Sequence, residues 1–223
     1  MIESITQNLP MLLKGTGETL YMTFLSIIFA YVLGLPLGVL LIVTGPKGIR
    51  PMPRFNAALS WVINIGRSIP FIILMIVLLP LAQLITGSLI GPNTAVVALV
   101  VASAPFVARM VESSLAELDQ GVVEAALTMG ATHWEIIWKV LLPEAIPSLV
   151  RGLSITTITL IGYSAMAGAI GAGGLGDIAI RYGVHRYQYD VMMMTVVLLI
   201  IIVQVLQSAL DALARRIDKR NLQ

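Results

Sequence analysis

The chain has 223 residues, 57% hydrophobic and 12% charged, with a mean hydropathy of +0.92, whereas an ordinary soluble domain carries about 25% charged residues; a water-soluble globule is excluded. Cysteine is absent and only His133 and His185 supply imidazole, which excludes disulfide frameworks, thiolate metal sites and cysteine nucleophiles and leaves little for a metal centre. The net charge of +2 comes from basic residues scattered at the ends of apolar runs, with no stripe for nucleic acid.

Residues 1–17, with Glu3, Pro10 and Lys14, lack the basic start and compact apolar run of a signal peptide and are expected to be retained. Uncharged runs of 28 residues between Glu18 and Lys47, 41 between Arg67 and Arg109, 25 between Arg151 and Asp177, and 20 between Asp190 and Asp211 follow. Each exceeds the roughly 18 residues that mark a spanning helix. Turn residues Thr86-Gly87-Ser88 and Gly91-Pro92-Asn93 divide the longest run. Five transmembrane helices are thus predicted, at roughly 18–43, 58–84, 93–116, 146–170 and 191–214, in an all-α integral membrane protein.

Lysine and arginine set the orientation, because cytoplasmic segments are enriched in them. With the C-terminus inside, Lys47, Arg50, Arg54, Arg109, Lys139, Arg151, Arg215, Arg216, Lys219 and Arg220 are cytoplasmic, against Lys14, Arg181 and Arg186 outside. The expected topology is N-terminus outside and C-terminus cytoplasmic.

The cytoplasmic segment 109–151 is far longer than the connections usual between packed helices, and loops of that length are commonly functional. Asp119 is placed to cap a short helix over 121–129 that Gly130 ends in a left-handed conformation. Thr132 and Glu135 form a T-x-x-E capping box for a second helix, His133 to Leu142, with Pro143 as its limit. Glu135 precedes Lys139 in the favourable i, i+4 order.

Several apolar-span residues are candidates for a transport path. Arg67, beside Ser68 and Pro70, reads equally as a path charge or as an arginine snorkelling to headgroups. Pro36, Pro70 and Pro80 are expected to kink their helices or widen the space beside them, which suits packing as well as gating. The fourth helix carries Ser154, Thr156, Thr157, Thr159, Tyr163, Ser164 and Met166, which suit close helix contact or a path for a polar solute. The glycines at 168, 171, 173, 174 and 176 predict close packing and an irregular turn, since no Walker lysine accompanies them. His133 reads as a surface histidine. His185, between Tyr182 and Tyr187, sits in an interfacial aromatic belt.

The run Glu124-Ala125-Ala126, Gly130 and Val140-Leu141-Leu142-Pro143 resembles the E-A-A-x3-G-x9-I-x-L-P motif of permease subunits of bacterial ABC importers, with Val140 replacing isoleucine. Within that family, residues 67–71, 104–112 and 162–176 are similar to methionine-importer permeases, and the likeness runs from about Gly15 to Arg216. The resemblance implies a type I permease fold in one membrane domain, 1–223, with its transmembrane region at about 15–210 and a coupling loop at about 117–143. It implies that Glu124, Ala125, Ala126, Gly130, Val140, Leu142 and Pro143 form the joint to a separate ATP-binding subunit. Arg67, Ser68, Pro70, Tyr163, Ser164 and Met166 are the expected pathway residues. The implied assembly is a homodimer in the inner membrane lipid with two ATP-binding subunits, which hold ATP-Mg, and a periplasmic or lipid-anchored methionine-binding protein. The chain itself is expected to hold no cofactor or metal and to catalyse nothing.

The implied activity is import of L- and D-methionine; another amino acid or small polar solute stays open. A stand-alone secondary transporter would normally show repeated halves as well as intramembrane carboxylates, and no halves repeat. An intramembrane enzyme would need a nucleophile with a base, or a metal pair such as H-E-x-x-H, and neither is seen.

Overall fold

The computed structural model describes residues 2–218, with side chains from residue 8 onward. The helices are α1 Ile2–Thr44, α2 Pro53–Ser68, α3 Phe71–Thr86, α4 Pro92–Ala116, α5 Gln120–Thr128, α6 His133–Glu135, α7 Leu142–Gly168, α8 Gly174–Ile178 and α9 Tyr189–Ile217. A π-helical segment, Ile136–Leu141, joins α6 to α7, and another, Ala179–Val184, follows α8. No strand occurs among the described residues. Four continuous stretches, Asn8–Thr44, Pro92–Ala116, His133–Gly168 and Tyr189–Ile217, are long and apolar enough to span a membrane, and α2 with α3 passes the same test only when the two are taken together as one broken span.

Three expectations are corrected. The helix expected at 58–84 is two helices, because Pro70 adopts φ −57° and ψ 133° and proline disfavours helical geometry in the residue before it, Ile69. The break replaces the expected kink, and α3 restarts with the Leu74 N–H donating to the Pro70 carbonyl at 3.0 Å. The first helix begins at Ile2, where the sequence suggested a start near residue 18. Tertiary packing outweighs Pro10 there, since Leu12 and Met11 pack with Leu175, Ile178 and Val191. Pro143 does not end the second loop helix. Wide i to i+5 turns carry the chain past it, with the Leu142 N–H donating to the Ile137 carbonyl, and 133–168 is one helical stretch. Its 36 residues rise about 54 Å against a hydrocarbon core of about 30 Å, so its first turns lie outside the membrane.

The chain divides into two compact units. One comprises Met1–Phe29, Ile69–Ser103 and Thr157–Gln207. Its core joins Met22, Phe71, Met75, Ala95, Leu99, Leu160 and Ala167. The 169–173 turn is held by hydrogen bonds that secure otherwise unpaired amides: Gly91 N–H donates to the Gly171 carbonyl at 3.0 Å, Gly174 N–H to Glu18 Oε2 at 2.8 Å and Leu175 N–H to Thr19 Oγ1 at 2.9 Å. Gly173 has φ +83°, and a Cβ there would stand 2.6 Å from Glu18 Oε2, so conformation and space both require glycine.

The other unit comprises Ala30–Ser68, Ala104–Thr156 and Ser208–Gln223. Its larger core joins Ala30, Val39, Val107, Val111, Leu115, Ile136, Leu141 and Ala145. Helix α1 meets α4 through Gly34 and Gly38, where an added Cβ would lie 2.7 Å and 2.6 Å from the Cβ atoms of Val107 and Val111. In lipid, where apolar surface alone drives no association, such small-xxx-small contacts supply close packing.

Candidate functional site

The 119–143 hairpin folds from its own local chemistry. Asp119 caps α5, its Oδ1 accepting the Gly121 N–H at 2.8 Å. At the far end Gly130 takes φ +81°, its N–H donates to the Leu127 carbonyl at 3.0 Å, and the Ala131 N–H donates to the Ala126 carbonyl at 3.1 Å, the backward bonding of a glycine-terminated helix. The capping box at α6 is formed. The Glu135 N–H donates to Thr132 Oγ1 at 3.3 Å, and the Thr132 N–H donates to Glu135 Oε2 at 3.1 Å. Lys139 Nζ reaches Glu135 Oε1 at 3.0 Å. That ammonium, with the Thr132 donors, holds the Glu135 carboxyl down to about 2.

No residue of α5 is fully buried. Ala126 and Val123 pack half-buried on the core around Ile136, as do Val140 and Leu142, whereas Glu124, Ala125, Gly130 and Pro143 are exposed. Met129, Trp134 and Trp138 are 87%, 68% and 54% exposed, with the two indoles edge to face at 5.7 Å. Methionine and tryptophan are among the side chains enriched where proteins meet. Beneath it lies a 670 Å³ cavity whose lining includes Leu41, Lys47, Asn56, Glu112, Leu115 and Glu124.

The pathway candidates separate. In the first unit Tyr163 stacks on Phe71, which follows Pro70, with ring centroids 4.6 Å apart and planes within 1°. Met166 is exposed, but Ser164 is buried and donates to the Ile161 carbonyl at 2.8 Å. In the second unit Arg67 is exposed in the last turn of α2, where its charge complements the helix dipole, and Ser68 Oγ donates to the Ile65 carbonyl at 2.8 Å. The hydroxyls singled out on the fourth span mostly turn inward: Ser154, Thr156 and Thr157 are buried, and Thr156 Oγ1 donates to the Gly152 carbonyl at 2.8 Å. The exposed positions of α7 in the first unit are Gly162 and Met166. Their i, i+4 spacing puts them on one helix face.

Sequence reasoning missed a polar cluster in the second unit. Arg109 Nη1 donates to Glu112 Oε2 at 2.6 Å, and Nη2 donates to Ser60 Oγ at 2.5 Å and Asn64 Oδ1 at 2.9 Å. The signal available was the R-x-x-E spacing on an apolar helix, which places both charges on one face. No group of three His, Asp or Glu among the described residues is placed to hold a metal ion.

Comparison with known proteins places this architecture. The family model described as "Binding-protein-dependent transport system inner membrane component" matches residues 34–223. The chain is 51% identical over 213 residues to a probable D-methionine transport system permease protein MetI of Vibrio cholerae, covering 96% of this chain and 95% of that one. It is 46% identical over 207 residues to the methionine import system permease protein MetP of Bacillus subtilis, covering 93% of each. A chain of the inward-facing MetNI methionine ABC transporter superimposes with a TM-score of 0.94 at 48% identity, covering 96% of this chain and 99% of that chain. The all-helical fold is therefore that of an ABC importer permease, and the chain belongs to the binding-protein-dependent transport system inner membrane components.

Proposed function

We propose that this chain is the permease subunit of a methionine importer, moving L- and D-methionine across the bacterial inner membrane by alternating access. The observation that carries the substrate is the end-to-end likeness to methionine permeases, 51% identical across 96% of the chain. In this reading the chain is one membrane domain with its N-terminus outside and C-terminus cytoplasmic, as the lysine and arginine count favours. It pairs with a second copy, since one hairpin per chain suits one ATPase per chain and a two-fold dimer is the commonest closed assembly. ATP-Mg binding and hydrolysis belong to the two partner subunits, and a periplasmic or lipid-anchored protein delivers the solute.

The hairpin is the proposed joint. Ala125 gives the partner close access to the backbone of α5, Glu124 offers a carboxylate beside it, and Gly130 makes the turn back toward α6. Ala126, Val140, Leu142 and Pro143 tie the joint to α7, so force applied at α5 reaches the spanning helix. For the path we assign Arg67 and Ser68 in one unit and Pro70, Tyr163, Ser164 and Met166 in the other.

ATP-driven uptake of labelled methionine into proteoliposomes holding this chain, its ATP-binding subunit and its binding protein tests the reading. Competition by unlabelled L- and D-methionine alone is expected. ATP hydrolysis by the copurified complex without methionine entry would move the substrate to another amino acid or polar solute.

A further inference from the structure

Helix α2 buries one side chain, Ile63, in a small cluster with Leu41 and Ala108. One turn away Gly66 lies against α4, where an added Cβ would stand 2.8 Å from Pro105 Cγ and 3.3 Å from its Cβ. Leu59 packs on the same cluster and Asn56 donates to the Leu41 carbonyl and Thr44 Oγ1 of α1; the remaining attachment to α4 is polar. Arg109 of α4 reaches across with Nη2 to Ser60 Oγ at 2.5 Å, the Ser60 carbonyl at 3.2 Å and Asn64 Oδ1 at 2.9 Å, while Nη1 is held by Glu112 at 2.6 Å. Both charged side chains are mostly sheltered, at 21% and 27% exposed. A sheltered ion pair is tolerated when every partner is satisfied, and removing one member leaves the other stranded. The planar fork, which serves a carboxylate on its own helix and three acceptors on the next, is geometry that a lysine ammonium does not reproduce.

Arg67 and Ser68 occupy the turn of α2 just beyond Asn64 and Gly66. We propose that Arg109 is a positioning residue for transport: it clasps α2 to α4 so that the two move as one piece through the cycle, carrying the Arg67–Ser68 turn in a fixed attitude. This rests on the transport reading above. A purely structural arginine would instead set how much complex assembles and leave turnover per complex unchanged.

The chain has no cysteine, which makes a staple testable. The pair Gly66→Cys and Pro105→Cys starts near the Cβ separation of a disulfide, about 3.5–4.5 Å. In the full complex, Arg109→Met, which frees α2 from α4 and leaves Glu112 without its partner, is expected to lower uptake per assembled complex about tenfold or more, with Arg109→Lys failing similarly. Oxidising the cysteine pair in the Arg109→Met background is expected to restore uptake to within about threefold of the parent and to lose that gain under thiol reductant. The same staple in the otherwise unchanged chain is expected to leave uptake intact. Loss of uptake on stapling the unchanged chain overturns the proposal, because α2 would then have to slide on α4; so does full per-complex uptake by Arg109→Met. If the parent chain moves no substrate, transport itself is misread and the clasp is judged on cross-linking yield. A lower yield in the Arg109→Met background upholds the clasp, and an equal yield overturns it.

Discussion

Glu18 Oε2 accepts the backbone N–H of Gly174 across 156 residues of sequence, at 2.8 Å, and the neighbouring Thr19 hydroxyl accepts the next amide, Leu175 N–H. A carboxylate on the first helix thereby closes the glycine turn ahead of the last span. Hydrogen bonds to charged groups contribute about 1.5–3 kcal/mol, so Glu18→Ala is expected to lose roughly that stability and Glu18→Gln, which keeps an acceptor, about half. Thermal unfolding of the purified complex in detergent measures both. An unchanged midpoint for Glu18→Ala would show that the turn holds without the carboxylate.

Gly130 at φ +81° separates the two arms of the hairpin in a conformation that costs side-chain-bearing residues about 1–2 kcal/mol. Gly130→Asp is expected to insert and assemble, hydrolyse ATP and fail to transport. Gly130→Asn, which enters the left-handed region more readily, should retain most uptake. Parallel ATPase and uptake assays decide, and normal transport by the aspartate variant would remove the joint from this hairpin.

Substitution at Gly38 tests close helix contact. With Val111 Cβ 2.6 Å from the site of an added Cβ, Gly38→Ala must push α1 from α4, and overpacking of this kind costs about 1–3 kcal/mol. Gly17, with open space around it, is the matched control. Yields of folded protein from membranes should separate the two variants.

Acidification tests the cap at α6. The Glu135 carboxyl sits at about 2 against an ordinary 4.5, so its contribution is complete above the ordinary value and fades as pH falls toward the lowered one. The cap is therefore expected to be intact from pH 8 down to about 5. Hydrogen exchange at the Glu135 amide, corrected for intrinsic rate, should show constant protection over that interval. A drop between pH 7 and 5 would mean another group controls the turn.

What the sequence disclosed was governed by local rules. The caps at Asp119 and Thr132 and the left-handed Gly130 follow from nearest neighbours along the chain, and the structure reproduces them. Uncharged run length found the spans because lipid solvates no backbone. Misjudged features depend on distant partners or on subtler backbone choices. Pro10 sits inside a helix sustained by packing of Leu12 on Leu175 and Val191. Pro143 is passed by widened turns that composition does not announce. A list of polar residues also carries no facing: Ser164 is buried, while Gly162 and Met166 lie on the exposed side of that helix. The Arg109 clasp depends on Ser60 and Asn64, some forty-five residues away, beyond any windowed reading.

The widened turns at Ile136–Leu141 also set an angle. Each residue of an α-helix advances the chain by about 100° around its axis and each residue of the wider π turns by less, so tightening these six residues to ordinary α geometry with none lost would swing α5 and the exposed Trp134 around the axis of α7, whereas losing one residue in the same change would largely cancel the swing. The compass bearing of the hairpin is thus stored in how widely the chain winds there rather than in any side chain, so a residue can be lost at this point without turning the hairpin, provided the turns tighten with it.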